Sequence, residues 1–148
     1  MAAHPAARDA APPRLRLVLG DQLDPDGAQV AGCDPARDRI VLIEAPGEAT
    51  HVWSSKPRIA MFLAAMRHFA AAVEQRGWPL AYVGLDDSPS PTLQARLGEQ
   101  LATLSPTRVL VCEPGEYRVR SDVEAACRAA GIPLEVRADT HFICSRDE

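Results

Sequence analysis

The sequence predicts an α/β protein, a five-stranded parallel sheet in a three-layer α/β/α sandwich. Two observations carry that expectation. Short runs of Val, Ile and Leu recur without polar alternation, as strands covered on both faces require, and between them apolar residues recur at helical spacing. A third observation concerns the ligand. The first apolar run, LRLVLGDQL at residues 15–23, passes straight into Gly-Asp-Gln with no glycine-rich phosphate loop after it.

Residues 1–13 are rich in Ala and Pro without periodicity and read as a disordered tail, leaving residues 14–148 as the folded domain. Strands are expected at 15–19, 39–44, 80–85, 108–112 and 134–137. Between the second and third lies the strongest helix, where Ile59, Phe62, Leu63, Met66, Phe69, Ala70 and Val73 share one face. Ser54 or Ser55 is placed to cap it, Pro57 fits its first turn and Gly77 ends it. Leu93, Leu97, Leu101 and Leu104 write the next helix, with Ser90 as cap and Pro91 at its first position. The last helix runs from about Arg118 to Ala130, turns Val119, Val123, Ala126 and Cys127 inward and stops at Gly131. Residues 24–38 have no helical period and are expected to form a long loop or a short irregular helix. Strands alternating with helices imply right-handed crossovers and a doubly wound sheet.

Composition narrows the function classes. A chain of 148 residues, 47% hydrophobic and 24% charged, can bury the core of an ordinary globular domain. A formal net charge of −4 argues against this chain clamping DNA or RNA by itself, because such affinity rests on clustered Lys and Arg. No apolar run is long enough to span a bilayer, and the opening MAAHPAARDAAPPR lacks the apolar core of a secretory signal, so the expected compartment is the cytoplasm. Cys33, Cys112, Cys127 and Cys144 form no CxxC pair and are expected to be buried, reduced thiols, with neither a zinc site nor a redox motif indicated. The chain stops at Glu148, a few residues past the last expected strand, as one domain of a longer protein would.

Nucleotide phosphates in parallel-sheet proteins are usually wrapped by GxGxxG or GxxxxGK[ST], because bare backbone N–H groups must approach the anion closely. Neither pattern occurs. Ligands of open α/β sheets bind beyond the carboxyl ends of the strands, where strand order reverses. Those ends carry Asp21 and Gln22 after the first strand, Glu44 and Glu48 after the second, Asp86 and Asp87 after the third, and Glu113, Glu116, Tyr117 and Arg118 after the fourth. Such an acidic rim repels phosphate and suits a neutral hydroxylated ligand, or a divalent metal held by carboxylates. Asp21, Gln22 and Glu44 are the favoured trio, since they follow apolar runs ending at one edge. The segment HVWSSKPR, residues 51–58, reads equally as a pocket wall or as a helix start with a Trp53 staple. Arg67 and His68 flank the apolar stripe and are expected to face solvent or another domain. A nucleophilic pair of His141 and Cys144, with Asp139, lacks a group to orient the base or bind an oxyanion.

Read together, LVLGDQL, IVLIEAPGEATHV, KPRIAMFLAAMRHFA, LAYVGLDD, CEPGEYRVR and the terminal DTHFICSRDE resemble the amino-terminal domain of the prokaryotic cryptochrome/photolyase-related family, the iron–sulfur bacterial cryptochromes and six-four photolyases. The resemblance runs from about Leu15 to the last residue. It implies a Rossmann-like photolyase domain carrying the antenna chromophore dimethyl-ribityllumazine, for light harvesting in DNA photorepair or blue-light sensing. It also implies a separate helical carboxy-terminal domain, absent here, that binds FAD, a four-iron four-sulfur cluster and damaged DNA, so this chain alone would have no repair activity and no membrane partner. A lumazine has a ribityl chain and a uracil-like edge but no phosphate, in keeping with the missing phosphate loop. Carried over residue by residue, the antenna contacts would be Asp21, Gln22, Glu44, Glu48 and His51, with Ile59 and Phe62 as the apolar wall. His51 stands where some relatives have tyrosine, Ser54 and Ser55 where two histidines often precede the lysine, and Phe62 is bulky enough to narrow the pocket. The rival is a freestanding Mg-dependent receiver- or phosphatase-like domain using Asp21, Glu44 and Asp86.

Overall fold

The structure is a computed structural model that describes residues 12–51 and 53–140. Most of the expected tail, and His141 and Cys144 with most of the terminal DTHFICSRDE block, lie outside the described residues. Strands β1 (Arg14–Val18), β2 (Asp38–Ile43), β3 (Leu80–Val83), β4 (Arg108–Cys112) and β5 (Leu134–Arg137) form one parallel sheet in the order β3-β2-β1-β4-β5. Leu17 of the central strand pairs with Val41 on one side and Val111 on the other, so β1 is apolar on both flanks. Helices α2 (Lys56–Gln75), α3 (Leu93–Leu104) and α4 (Tyr117–Ala130) cover the sheet. The five strands and the three-layer architecture are as the sequence predicts.

Side chains alternate across each strand, which divides the core in two. Leu15, Leu17, Val41, Val109 and Val111 face Leu97 and Leu101 of α3 and Val123 and Ala126 of α4. Val18, Ile40 and Leu42 face Met66, Phe69 and Val73 of α2. Chain direction explains the division: the β2-to-β3 crossover runs on one face, and the later crossovers run on the other. Gly131 takes a left-handed φ of 68° and ends α4, a conformation that costs a residue without Cβ little.

Three details depart from expectation. A five-residue helix α1 (Pro46–Thr50) follows β2, too short to show periodicity, with Pro46 at its start. The cap of α3 is Thr92, whose hydroxyl accepts from the Ala95 N–H at 3.2 Å, and not Ser90. Ser90 is engaged elsewhere: its hydroxyl bonds Glu99 at 2.6 Å and its carbonyl accepts from Arg96 at 2.6 Å. Ser55 does occupy the cap position of α2, but its side chain makes no capping bond.

Of residues 24–38, 24–37 take the loop alternative, a series of turns in place of a helix, and Asp38 opens β2. Turns leave carbonyls without helical partners, and a buried cation supplies them. Arg16 of β1 donates to the Ala31 and Gly32 carbonyls at 2.8 and 2.9 Å and through Nε to Asp38 at 2.8 Å. Asp38 also accepts from Arg14 Nε at 2.6 Å and from the Asp34 N–H at 3.0 Å. Burial alone would raise the Asp38 carboxyl; the bonds from Asp34, Arg14 and Arg16 outweigh it and hold the group below the usual carboxylate range.

Two stability predictions follow from this packing. Leu97→Ala, at a fully buried site, is expected to lower the unfolding free energy by about 2–5 kcal/mol, and Gln94→Ala on the exposed side of α3 by less than about 0.5 kcal/mol, both read by urea denaturation. Asp38→Asn strands two arginines and should cost roughly 3–5 kcal/mol at neutral pH. Because the folded carboxyl is held below its unfolded value of about 3.9, its contribution is full above that pH and lost as pH falls through the folded value. The gap between wild type and Asp38→Asn should therefore close below about pH 4, and a gap that persists unchanged to pH 3 would refute the assignment.

Candidate functional site

Strand order reverses between β1 and β4: the chain leaves β2 toward one face of the sheet and β4 toward the other. The connections after β1, β2 and β4 therefore diverge and leave a crevice at the carboxyl ends of the strands. In this chain it is a cleft of about 620 Å³, within the size range of small-molecule sites.

Gly20 and Asp21 after β1 form its floor, α1 with His51, Trp53 and Ser54 one side, the start of α4 another, and α2 the apolar wall. The α2 stripe read from the sequence divides here. Met66, Phe69, Ala70 and Val73 are buried against the sheet, but Ile59 is half-buried and Phe62 is 44% exposed, because the helix has by then passed the strand ends. Phe62 lies directly over the Gly20 backbone. A Cβ at Gly20 would sit 2.6 Å from the tip of its ring, so any larger residue there would have to push the Phe62 ring aside.

Of the seven residues expected at a ligand site, Asp21, Glu44, Glu48, His51, Ile59 and Phe62 line this one cleft. Gln22 does not line it; it is buried, and its amide nitrogen donates to the Cys112 and Glu113 carbonyls at 3.4 and 3.2 Å, tying the β1 loop to the end of β4. Trp53, Ser54 and Arg58 of the 51–58 segment line the cleft as well, and Trp53 is 93% exposed and packs as no staple.

The acidic groups differ in what they have free. Glu44 is buried, and both of its oxygens are taken within the fold. Arg67 Nε reaches Oε1 at 2.9 Å and Nη2 reaches Oε2 at 3.2 Å, the Tyr82 hydroxyl donates to Oε1 and the Leu85 N–H to Oε2 at 3.0 Å. Burial would raise this carboxyl, but the bonds from Arg67, Tyr82 and Leu85 prevail and lower it. Burial and the adjacent Glu44 charge push the Tyr82 phenol up. Asp21 is open along the cleft and walled by protein elsewhere; that desolvation, opposed by its own backbone N–H and aided by the charges of Asp139, Glu116 and Glu48, raises its carboxyl. Glu48 is held by Arg118, whose Nη1 and Nη2 meet Oε1 and Oε2 at 2.9 and 3.0 Å. Glu116 completes the rim, bonded to Arg118 Nε at 3.0 Å, with His51 Nε2 3.6 Å from it.

The sequence reading leaves out Tyr82 and Arg96, and it gives Arg67 and Arg118, which it places beside the α2 stripe and at the end of the fourth strand, no contact within the site. Arg67 is exposed, as its flanking position suggests, yet its guanidinium closes on Glu44. Arg96 left a legible signal, since it falls three residues after Leu93 and one before Leu97, on the buried face of α3. Its five donor bonds end on five backbone carbonyls, those of Glu44, Gly84, Leu85, Ser88 and Ser90, and so fix the β2 and β3 ends that border the cleft.

The metal reading requires Asp21, Glu44 and Asp86 to converge, and they do not. Glu44 is committed to Arg67, and Asp86 sits on an exposed 3-10 turn. Among the described residues no group of three or more His, Cys, Asp or Glu is placed to hold a metal ion. Cys112 and Cys127 are buried and Cys33 is half-buried, all three as free thiols, and burial pushes Cys127 up to about 11, far from the reactive thiolate range. Cys144 lies outside the described residues. Among the described residues no helix is long and apolar enough to cross a membrane.

Comparison with known proteins agrees with the family that the sequence resembles. Residues 16–148 match the model of the family described as deoxyribodipyrimidine photo-lyase-related protein. The chain is also similar to the (6-4) photolyase of Agrobacterium fabrum (strain C58 / ATCC 33970), 38% identical over 136 residues, an alignment that covers 91% of this chain and 27% of that relative. The chain thus spans about a quarter of the relative it matches, 27% of its length. The matched span takes in β2 to β5, all four helices and the whole cleft, and on that ground the chain belongs to the deoxyribodipyrimidine photo-lyase-related protein family.

Proposed function

We propose that this chain is the antenna-chromophore domain of a photolyase-related protein and that the cleft takes dimethyl-ribityllumazine. The observation that carries the reading is the chemistry of the cleft: an apolar wall of Ile59, Phe62, Leu63 and Met66 opposite the carboxylates Asp21, Glu48 and Glu116, with no phosphate cradle at the strand ends. A lumazine fits that lining. Its ring system suits the α2 wall, and its hydroxyls and ring edge suit carboxylate acceptors. Phosphorylated nucleotides fit poorly, because the acidic rim would repel them.

When bound, the lumazine supplies light absorption. The residues supply place and polarity: Asp21 and Glu48 accept hydrogen bonds, His51 edges the polar end, and Glu44 acts indirectly by fixing Arg67 at the α2 wall. Gln22 supports the floor from behind through the β4 carbonyls. No bond is made or broken in this domain. The wider protein, in this reading, carries FAD and a four-iron four-sulfur cluster in a helical domain that meets damaged DNA, or signals blue light, and flavin performs the chemistry. The net charge of −4 supports leaving DNA contact to that other domain. We place the protein in the cytoplasm, where the free thiols of Cys33, Cys112 and Cys127 stay reduced.

Titration of the chain with dimethyl-ribityllumazine, followed by the change in lumazine fluorescence, should saturate with one site. Asp21→Ala and Glu48→Ala should each weaken binding by about tenfold or more, the scale of one charge-assisted hydrogen bond. Magnesium should leave the titration unchanged. Binding of magnesium without lumazine, or lumazine binding indifferent to both substitutions, would overturn the reading.

A further inference from the structure

Arg118 is the second residue of α4, and a cation in the first turn of a helix opposes the helix dipole. Its surroundings explain why it is tolerated. The guanidinium grips Glu48 through two parallel bonds at 2.9 and 3.0 Å, bonds Glu116 through Nε at 3.0 Å and lies 3.6 Å from Asp122 one turn on. The pair with Glu48 joins residues 70 apart in the chain. Glu48 lies on α1, which follows β2, and Arg118 on α4, which follows β4; β1, with Asp21 at its end, lies between those strands in the sheet. The ion pair therefore joins two sides of the cleft, one on each side of the strand-order reversal.

This contact is a side-chain tie from α1 to another element, beside the backbone bond from Gly47 to Pro91. That helix has five residues, no buried side chain and no side-chain cap. Its backbone is held by Gly47 N–H to the Pro91 carbonyl at 2.8 Å and His51 N–H to the Gly47 carbonyl at 3.0 Å. A helix so short does not hold its own shape. Glu48 meanwhile gives Arg118 one bond per oxygen, which leaves each oxygen a second lone pair for a ligand donor.

We propose that Arg118 is the positioning residue of the cleft: by strapping α1 to α4 through Glu48, it aims that carboxylate at a neutral ligand bearing a hydroxyl or N–H donor pair. This rests on the antenna-domain reading for the identity of the ligand, and on the geometry alone for the strap. Arg118 acts through Glu48. A lysine in its place keeps the charge and loses the planar two-pronged grip.

The test uses the whole chain and two readouts. The first needs no ligand: hydrogen exchange of the His51 amide, followed by NMR, should quicken about tenfold in Arg118→Gln and also in Arg118→Lys. The second is a double-mutant cycle of lumazine affinity. Glu48→Gln and Arg118→Gln should each weaken binding at least tenfold, and the double variant should be no weaker than the worse single one. Arg118→Lys should fail to restore affinity, and its folding guards against reading a misfolded Gln variant as a result. Unchanged His51 exchange, additive losses in the cycle, or full rescue by lysine would each overturn the strap. If the unaltered chain does not bind lumazine, the chromophore reading falls and the strap is decided by the exchange rates alone.

Discussion

The buried carboxylate of Glu44 is the constraint on which the ligand-binding edge of this domain depends. A charge in the interior must be met by charge and hydrogen bonds or it will not stay ionised. Here every partner comes from a different element: Arg67 from α2, Tyr82 from β3 and the Leu85 N–H from the turn beyond it, while the Glu44 backbone carbonyl is held by Arg96 of α3. One residue at the end of β2 thus sets where α2 starts its run past the sheet, where β3 ends and how the next loop folds back. The apolar wall of the cleft is displaced if any of these moves. The carboxylate is a foundation of the site, and the acceptors free for a ligand are the ones beyond it.

The same physics recurs at the opposite end of the sheet. A parallel β1-to-β2 connection normally carries a helix whose internal bonds absorb its own carbonyls. This chain omits the helix and uses Arg16, buried beside Asp38, to satisfy the loop instead. Arg96 does for the β3 ends what Arg16 does for the 24–37 loop. In both cases a guanidinium with five N–H donors replaces regular secondary structure as the sink for backbone carbonyls. The consequence for function is direct: with no helix amino terminus after β1, no dipole and no row of free N–H groups faces the cleft there, and the position that holds a nucleotide phosphate in many related sheets is given to Asp21.

The parts of this molecule legible in the sequence are those governed by one-dimensional rules. The five strands, the three long helices and their stops at Gly77 and Gly131 follow from apolar periodicity and local backbone chemistry. So does the stripe on α2, although its buried half and its cleft-facing half carry the same letters. What escaped has a common cause. Helix α1, at five residues, is too short to repeat the helical period, Thr92 replaces Ser90 as cap because Ser90 is drawn to Glu99 and Arg96, and Gln22 turns from the cleft toward the β4 carbonyls. Each outcome was decided by a partner distant in sequence.

The sequence by itself determined the fold class, the core faces, the absence of a phosphate loop and the acidic character of the rim, since each of these depends on residue type and spacing alone. The tertiary structure decided which acids are spent and which are free. Asp21, Glu44 and Glu48 are indistinguishable as letters at strand ends, and they part only when the sheet order brings Arg67 and Tyr82 to one, Arg118 to another and neighbouring carboxylates to the third. A carboxylate's role is set by the charges around it in space, and that arrangement exists only once the strands have taken their order.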